Sequence, residues 1–199
     1  MDVAGLILAG GRARRFGERP KALAILGGVA MIEHVIERLS PQVTSLVLSV
    51  DERNAMFNTL QLQQIEDPEP GKKGPLAALL SGLRWLQASG GEWLQMAPCD
   101  TPFLPTDLVG RLALHVRSQQ AEGCVPRFRG RLHPACGLWN ISLVPSLERA
   151  ISEGLQGFKE FLEAHPVAVL EWPEPHAGEP DPFFNVNTPE QLRQAEREL

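Results

Sequence analysis

Long apolar runs are missing from this chain: none approaches the length of a membrane span, so no membrane partner is expected. The opening residues Met1-Asp2-Val3-Ala4 place no basic segment ahead of their short apolar run, and no signal peptide is expected either. Cysteine is scarce. Cys99, Cys124 and Cys136 form neither a C-x-x-C pair nor an even set, which argues against a structural disulfide or zinc site and for a reducing, cytoplasmic setting. An excess of positive charge is absent as well. The net charge is −5, so no nucleic-acid partner is expected. Two familiar phosphate motifs are also lacking: no Gly-Lys is followed by Ser or Thr, and no G-x-G-x-x-G follows the first apolar run.

Against this acidic background one basic cluster stands out. Residues 3–9 form an apolar run that reads as a buried strand. It stops in Gly10-Gly11, followed by Arg12, Arg14, Arg15, Gly17 and Lys21. Glycines at a strand end expose backbone N–H groups and let an anion approach the main chain. Arginines and a lysine supply the charge such an anion needs. The stretch reads as a phosphate cradle. A tight turn with solvated arginines is the plainer alternative.

Composition fits a globular chain, with 43% hydrophobic and 22% charged residues among 199, and one domain covering 1–199 is expected. Strands are predicted at 46–50, 63–66, 92–97, 123–128, 132–139 and 167–172. Helices are predicted at 30–39, from Gly74-Pro75 through Leu86, from a Thr106 cap to about Val116, at 144–152 and 157–164, and after Thr188-Pro189. Arg129-Gly130-Arg131 is predicted to close a hairpin. Strands alternating with helices imply an α/β fold, a three-layer sandwich with a mostly parallel sheet covered on both faces. Ligands of such sheets sit outside the carboxyl ends of the strands. Gly10, Asp67 and Asp100 all fall at inferred strand ends, hence on one rim.

Asp100, in Cys99-Asp100-Thr101-Pro102, has the chemistry of a ligand for a Mg²⁺–phosphate complex, since magnesium takes one or two carboxylates plus phosphate oxygens and water. A turn cap is its alternative. Asp67 before Pro68 reads equally as turn initiation. Asn185 and Asn187 read as turn and cap residues. His133 ahead of Pro134 reads as structural.

Taken in order, L-A-G-G-x-A-R-R-x-G, Lys21, Glu66-Asp67, G-P-L-A, P-C-D-T-P, His133-Pro134 and N-V-N-T-P resemble the molybdenum cofactor guanylyltransferase family over nearly the whole chain. The resemblance implies a Rossmann-like nucleotide-diphospho-sugar transferase fold and transfer of GMP from GTP to molybdopterin or Mo-molybdopterin, with Mg²⁺ as cofactor. It implies catalytic roles for Arg15, Lys21 and Asp100, with Asp100 on the metal. Leu8, Ala9, Gly10, Gly11, Arg12, Lys21, Ser49, Asp67 and Asp100 would bind the nucleotide. Gly74, Pro75, His133, Asn185 and Asn187 would face the acceptor, and molybdoenzyme maturation proteins are implied partners. Two departures stand out: Ser49 replaces an asparagine that the family offers to the nucleotide, and no Arg occurs near Gln156-Gly157, where the family has basic residues. A cytidylyl- or sugar-phosphate nucleotidyltransferase and a non-catalytic GTP- or cofactor-binding carrier remain the alternatives.

Overall fold

The first strand carries side chains for two cores. In β1 (Val3–Leu8), Val3 and Ile7 pack into one apolar cluster and Ala4 and Leu6 into another, as the two-residue period of a doubly covered strand requires. In the computed structural model, which describes residues 1–10, 20–66, 74–165 and 167–199, a short hairpin of β2 (Ile25–Leu26) and β3 (Val29–Ala30) leads into α1 (Met31–Leu39). There follow β4 (Ser45–Val50), β5 (Gln63–Glu66), α2 (Pro75–Ala88), β6 (Trp93–Pro98) and α3 (Leu108–Gln119). The second half holds β7 (Gly123–Phe128), β8 (Arg131–Leu132), β9 (Leu138–Asn140), α4 (Val144–Ser152), α5 (Phe158–Ala164), β10 (Ala168–Glu171) and α6 (Pro189–Glu196).

The main sheet runs β10-β7-β9-β6-β1-β4-β5, with β8 beside β7. β1 pairs in parallel with both β4 and β6, β4 with β5, and β7 with β10. β9 is antiparallel to both its neighbours. One core cluster lies under α1 and α3 and the other under α2, α4 and α5, which gives the expected three layers. A third, smaller cluster of Leu26, Met31, Phe103, Val186 and Ala195 seats α6 against the β2–β3 hairpin. No helix among the described residues is long and apolar enough to cross a membrane.

Two expectations are corrected. Residues 132–139 do not form one strand. Pro134 has no N–H to donate to a ladder, and a 3-10 turn at Pro134–Cys136 separates β8 from β9. Thr106 does not cap α3: the helix begins one residue later, Asp107 takes the cap position, and its carboxylate bonds Arg111 Nε at 2.6 Å. The Arg129-Gly130 hairpin is present, with φ of 49° and 75° at its two turn residues. The β2–β3 hairpin and a 3-10 segment at Ala55–Leu60 were not anticipated.

The topology fixes where a ligand belongs. The chain moves from β1 outward to β4 and β5, then returns through α2 to β6 on the other side of β1. Strand order therefore reverses between β1 and β6, and crevices at such points are where open α/β sheets bind ligands. Leu8 is level with Ser49 of β4 and with Pro98 of β6, so three carboxyl ends finish in one row.

Candidate active site

Beyond that row, the ladder continues by one bond on each side of β1. Ala9 N–H donates to Ser49 O at 2.9 Å, and Cys99 N–H donates to Leu8 O at 3.0 Å. Gly10 follows at the end of β1, and a Cβ there would lie 2.6 Å from Asp51 Oδ1. Asp100 follows Cys99 at the end of β6. Its carbonyl accepts from Val186 N–H at 2.9 Å, which ties the segment before α6 to the strand end. Val186 is fully buried, so Asn185 and Asn187 on either side of it are held at the site by an apolar anchor.

Lys21 enters from a 3-10 turn, Lys21–Leu23, that is pinned by buried Ala22. Its ammonium pairs with Asp100 Oδ2 and donates to Asn187 Oδ1 at 2.6 Å. The Lys21 and Asp100 side chains are only 13% and 16% exposed, so this pair is poorly screened by solvent. Three segments far apart in sequence meet here. The Thr188 hydroxyl caps α6 by accepting from Gln191 N–H at 3.2 Å, and the Gln191 side chain accepts from Asn187 N–H at 2.7 Å. The helix start therefore sets the backbone that presents Asn187. Asn185 turns instead to buried Thr101, whose hydroxyl lies 3.4 Å from its Oδ1.

The second oxygen of Asp100, Oδ1, is buried and has no hydrogen-bond partner among the described residues. An unpartnered buried carboxylate oxygen is costly, and such an atom calls for an explanation such as a bound ion. No cluster of three or more His, Cys, Asp or Glu occurs among the described residues. Mg²⁺, which keeps waters and phosphate oxygens, fits a single carboxylate with one oxygen left free.

The charge of Asp100 reaches beyond Lys21. Burial, helped by that charge, pushes the neighbouring Cys99 thiol up to about 12. The same two causes raise Cys136, which places the turn after His133 within the field of Asp100. His133 is half-buried and stacks on Phe183 with ring centroids 4.6 Å apart. Desolvation, then the nearby Arg131 charge, hold it below the ordinary histidine value, against a smaller opposing pull from Asp181.

The described residues thus bring Lys21, Asp100, Asn187 and, through Thr101, Asn185 together, with Leu8, Ala9, Gly10 and Ser49 along the same rim. Ser49 is buried, 4% exposed, in line with Leu8. Gly74 and Pro75 start α2, where Leu76 N–H donates to Gln156 O at 3.4 Å. Gly11, Arg12, Arg15 and Asp67 lie outside the described residues. Sequence reasoning passed over Thr101, Val186 and Phe183, which hold Asn185, Asp100 and His133 respectively. The polar-apolar-polar alternation of Asn185-Val186-Asn187 was the available signal for an anchored pair.

Residues 5–169 match the model of the MobA-like NTP transferase domain. The molybdenum cofactor guanylyltransferase of Rhodopseudomonas palustris (strain BisB5) is 41% identical over 196 residues, covering 96% of this chain and 91% of that protein. The enzyme of the same name from Cereibacter sphaeroides (strain ATCC 17029 / ATH 2.4.9) is 40% identical over 196 residues, with coverage of 98% and 96%. Among solved structures, molybdopterin-guanine dinucleotide biosynthesis protein A from Archaeoglobus fulgidus is similar at a TM-score of 0.76 and 25% identity, covering 98% of this chain and 97% of that one. The 4-diphosphocytidyl-2C-methyl-D-erythritol synthase of Anaerococcus prevotii shares the fold at a TM-score of 0.73 and 11% identity, with coverage of 98% and 95%. A rim built around Lys21 and Asp100, a matching model along most of the chain and relatives aligned over nearly their full length lead to one assignment: the chain belongs to the MobA-like NTP transferase family.

Proposed function

We propose that this protein is a molybdenum cofactor guanylyltransferase that transfers GMP from GTP to the phosphate of molybdopterin or Mo-molybdopterin and releases pyrophosphate. The observation that carries the reading is the convergence of Lys21, Asp100 and Asn187 at the point where strand order reverses. Relatives of 40–41% identity that carry this enzyme name support the choice of substrates.

In this mechanism the β1 end and Gly10 present backbone to the triphosphate, while Lys21, with Arg12 and Arg15, neutralises it. Asp100, through its unpartnered Oδ1, would hold Mg²⁺, and Asn187 would fix Lys21 beside it. When bound, the ion supplies charge neutralisation on the phosphates. An oxygen of the acceptor phosphate attacks the α-phosphorus of GTP. The bond from that phosphorus to the bridging oxygen breaks, and pyrophosphate leaves with the electron pair. The acceptor oxygen is already ionised, so no general base is required and no Ser/His/Asp triad is needed. Charge building on the phosphoryl oxygens and leaving group is met by positioned cations, which stabilise it more than the ground state. His133, whose desolvation disfavours its protonated form, would face the acceptor together with Gly74, Pro75 and Asn185. Three buried free cysteines fit a cytoplasmic enzyme, whose product would pass to molybdoenzyme maturation proteins.

The test is a pyrophosphate-release assay with molybdopterin, Mg²⁺ and each of GTP, CTP and ATP, alongside thermal shifts for each nucleotide with and without EDTA. GTP-selective, acceptor-dependent release is expected. Selectivity for CTP would move the substrate to that of a cytidylyl relative, and Ser49 is the residue to examine first. Nucleotide binding without pyrophosphate release would make the protein a carrier and overturn the reading.

A further inference from the structure

Lys21 is drawn toward two anionic partners, Asp100 and the triphosphate. In the mechanism it serves the triphosphate, yet its ammonium is bound to Asp100 Oδ2 and to Asn187 Oδ1. Asp100 therefore offers a divalent cation a neutralised pair rather than a bare carboxylate, and only the buried Oδ1 is left over. A cation approaching Oδ1 would meet the ammonium on the other oxygen of the same carboxylate, with little solvent between them. Like charges that close repel strongly in a poorly screened site. A triphosphate removes the obstacle, because its several negative charges compete with Asp100 for the same ammonium.

We infer that Lys21 is a displaceable counter-ion. In the ligand-free chain it occupies Asp100 and keeps divalent cations out. An incoming nucleoside triphosphate draws it onto the phosphates and leaves the carboxylate open. The inference rests on the nucleotidyltransferase reading and adds a consequence to it: metal and nucleotide bind with positive coupling, each raising the affinity for the other by the same factor. The coupling runs through one side chain with two resting places. Asn187 is the neutral anchor that holds the ammonium in the first of them, and it is itself fixed by Gln191 and the Thr188 cap.

The experiment measures Mn²⁺ affinity of the full, nucleotide-free chain by the paramagnetic resonance of the free ion, for the wild type, Lys21→Met and Asn187→Ala. Weak uptake by the wild type is expected. Lys21→Met should bind Mn²⁺ about 5- to 150-fold more tightly, the usual span of coupling between sites. Asn187→Ala keeps the ammonium but loses its anchor and should show a smaller rise, so it carries the test should Lys21→Met fail to fold. Unchanged or weaker Mn²⁺ binding in folded Lys21→Met, or a fall in Asn187→Ala, overturns the inference. The enzyme reading then survives as long as Mn²⁺ with GTP still raises the melting temperature of the wild type. Absence of that shift overturns both.

Discussion

Replacing Gly74 by alanine puts a methyl group where the backbone leaves no room for one. Gly74 sits at φ 128° and ψ 170°, a conformation that side chains other than glycine's hydrogen rarely adopt. Residues forced into such regions cost about 1–3 kcal/mol each. The new Cβ would also lie 2.7 Å from the backbone oxygen of Gln156. Backbone cannot rotate aside as a side chain can, so the carbonyl must move. That same carbonyl accepts from Leu76 N–H at 3.4 Å, an already long bond that the movement would break. Losing it adds about 0.5–1.5 kcal/mol. Stiffening of the unfolded chain returns less than about 1 kcal/mol. The expected net loss is about 2–3 kcal/mol.

Urea unfolding of Gly74→Ala beside Gly90→Ala separates the two causes. Gly90, at the other end of α2, also has positive φ, +76°, but a Cβ there meets nothing within 4 Å. It should cost only the conformational part, about 1–2 kcal/mol. With a slope of about 1–3 kcal/mol per molar urea, a loss of 2 kcal/mol moves the midpoint by about 1 M. A Gly74→Ala protein no less stable than Gly90→Ala would refute the steric argument at Gln156. It would also free Gly74 for a purely ligand-binding role.

Three further outcomes are expected. Asp100→Asn should cut nucleotidyl transfer by at least about 100-fold, the size seen when one charge-stabilising group is removed at a transition state. Its far-UV circular dichroism should be unchanged, and activity retained at saturating Mg²⁺ would remove Asp100 from the metal. His133 has a native value below 6.5, so between that value and 6.5 the unfolded chain binds more protons. Stability contributed by neutral His133 is thus fully present above pH 6.5 and is lost as pH falls through this window; His133→Phe, which keeps a ring against Phe183, should flatten the acid limb of a stability–pH profile. Cys99 and Cys124, both pushed up to about 12 chiefly by burial, should resist a thiol reagent at pH 8 in the native protein and react once it is unfolded.

Much of the architecture was legible because strong local rules agreed with it. The run ending in Gly10 is a strand, Gly74-Pro75 starts α2, and Thr188-Pro189 starts α6, each through backbone chemistry that acts within a few residues. The rim was legible too, since strand ends in a parallel sheet need no knowledge of neighbours. What failed depends on neighbours. β9 is three residues long and antiparallel because it is inserted between β6 and β7, a fact no local pattern in Leu138-Trp139-Asn140 announces. Thr106 and Asp107 are equally good caps by type, and the choice follows from Arg111 one turn later. The hairpin around Gly27-Gly28 has strands of two residues, too short for any period to show. Within the site, the sequence offered Asn185 and Asn187 as equivalents, whereas the fold sends one to Thr101 and the other to Lys21.

The matched domain model stops at residue 169, yet the site does not. Phe183 backs His133, Val186 bonds the carbonyl of Asp100, and Asn187 holds Lys21. All three belong to the stretch leading into α6, which makes no strand in the main sheet. Phe183 packs in the cluster under α1 and α3, while Val186 anchors the stretch in the small cluster around Leu26, Met31, Phe103 and Ala195. Two of these residues, Leu26 and Met31, lie just beyond the turn that carries Lys21, and Phe103 lies just beyond Asp100. The apolar cluster therefore does for these chain segments what the sheet does for strand ends: it sets their separation before any ligand arrives. A lysine, an aspartate and an asparagine each flanked by a buried neighbour can hold a tight polar cluster at a partly open rim. The same three side chains on free loops would lose that arrangement to conformational entropy, at about 1–2 kcal/mol per residue ordered.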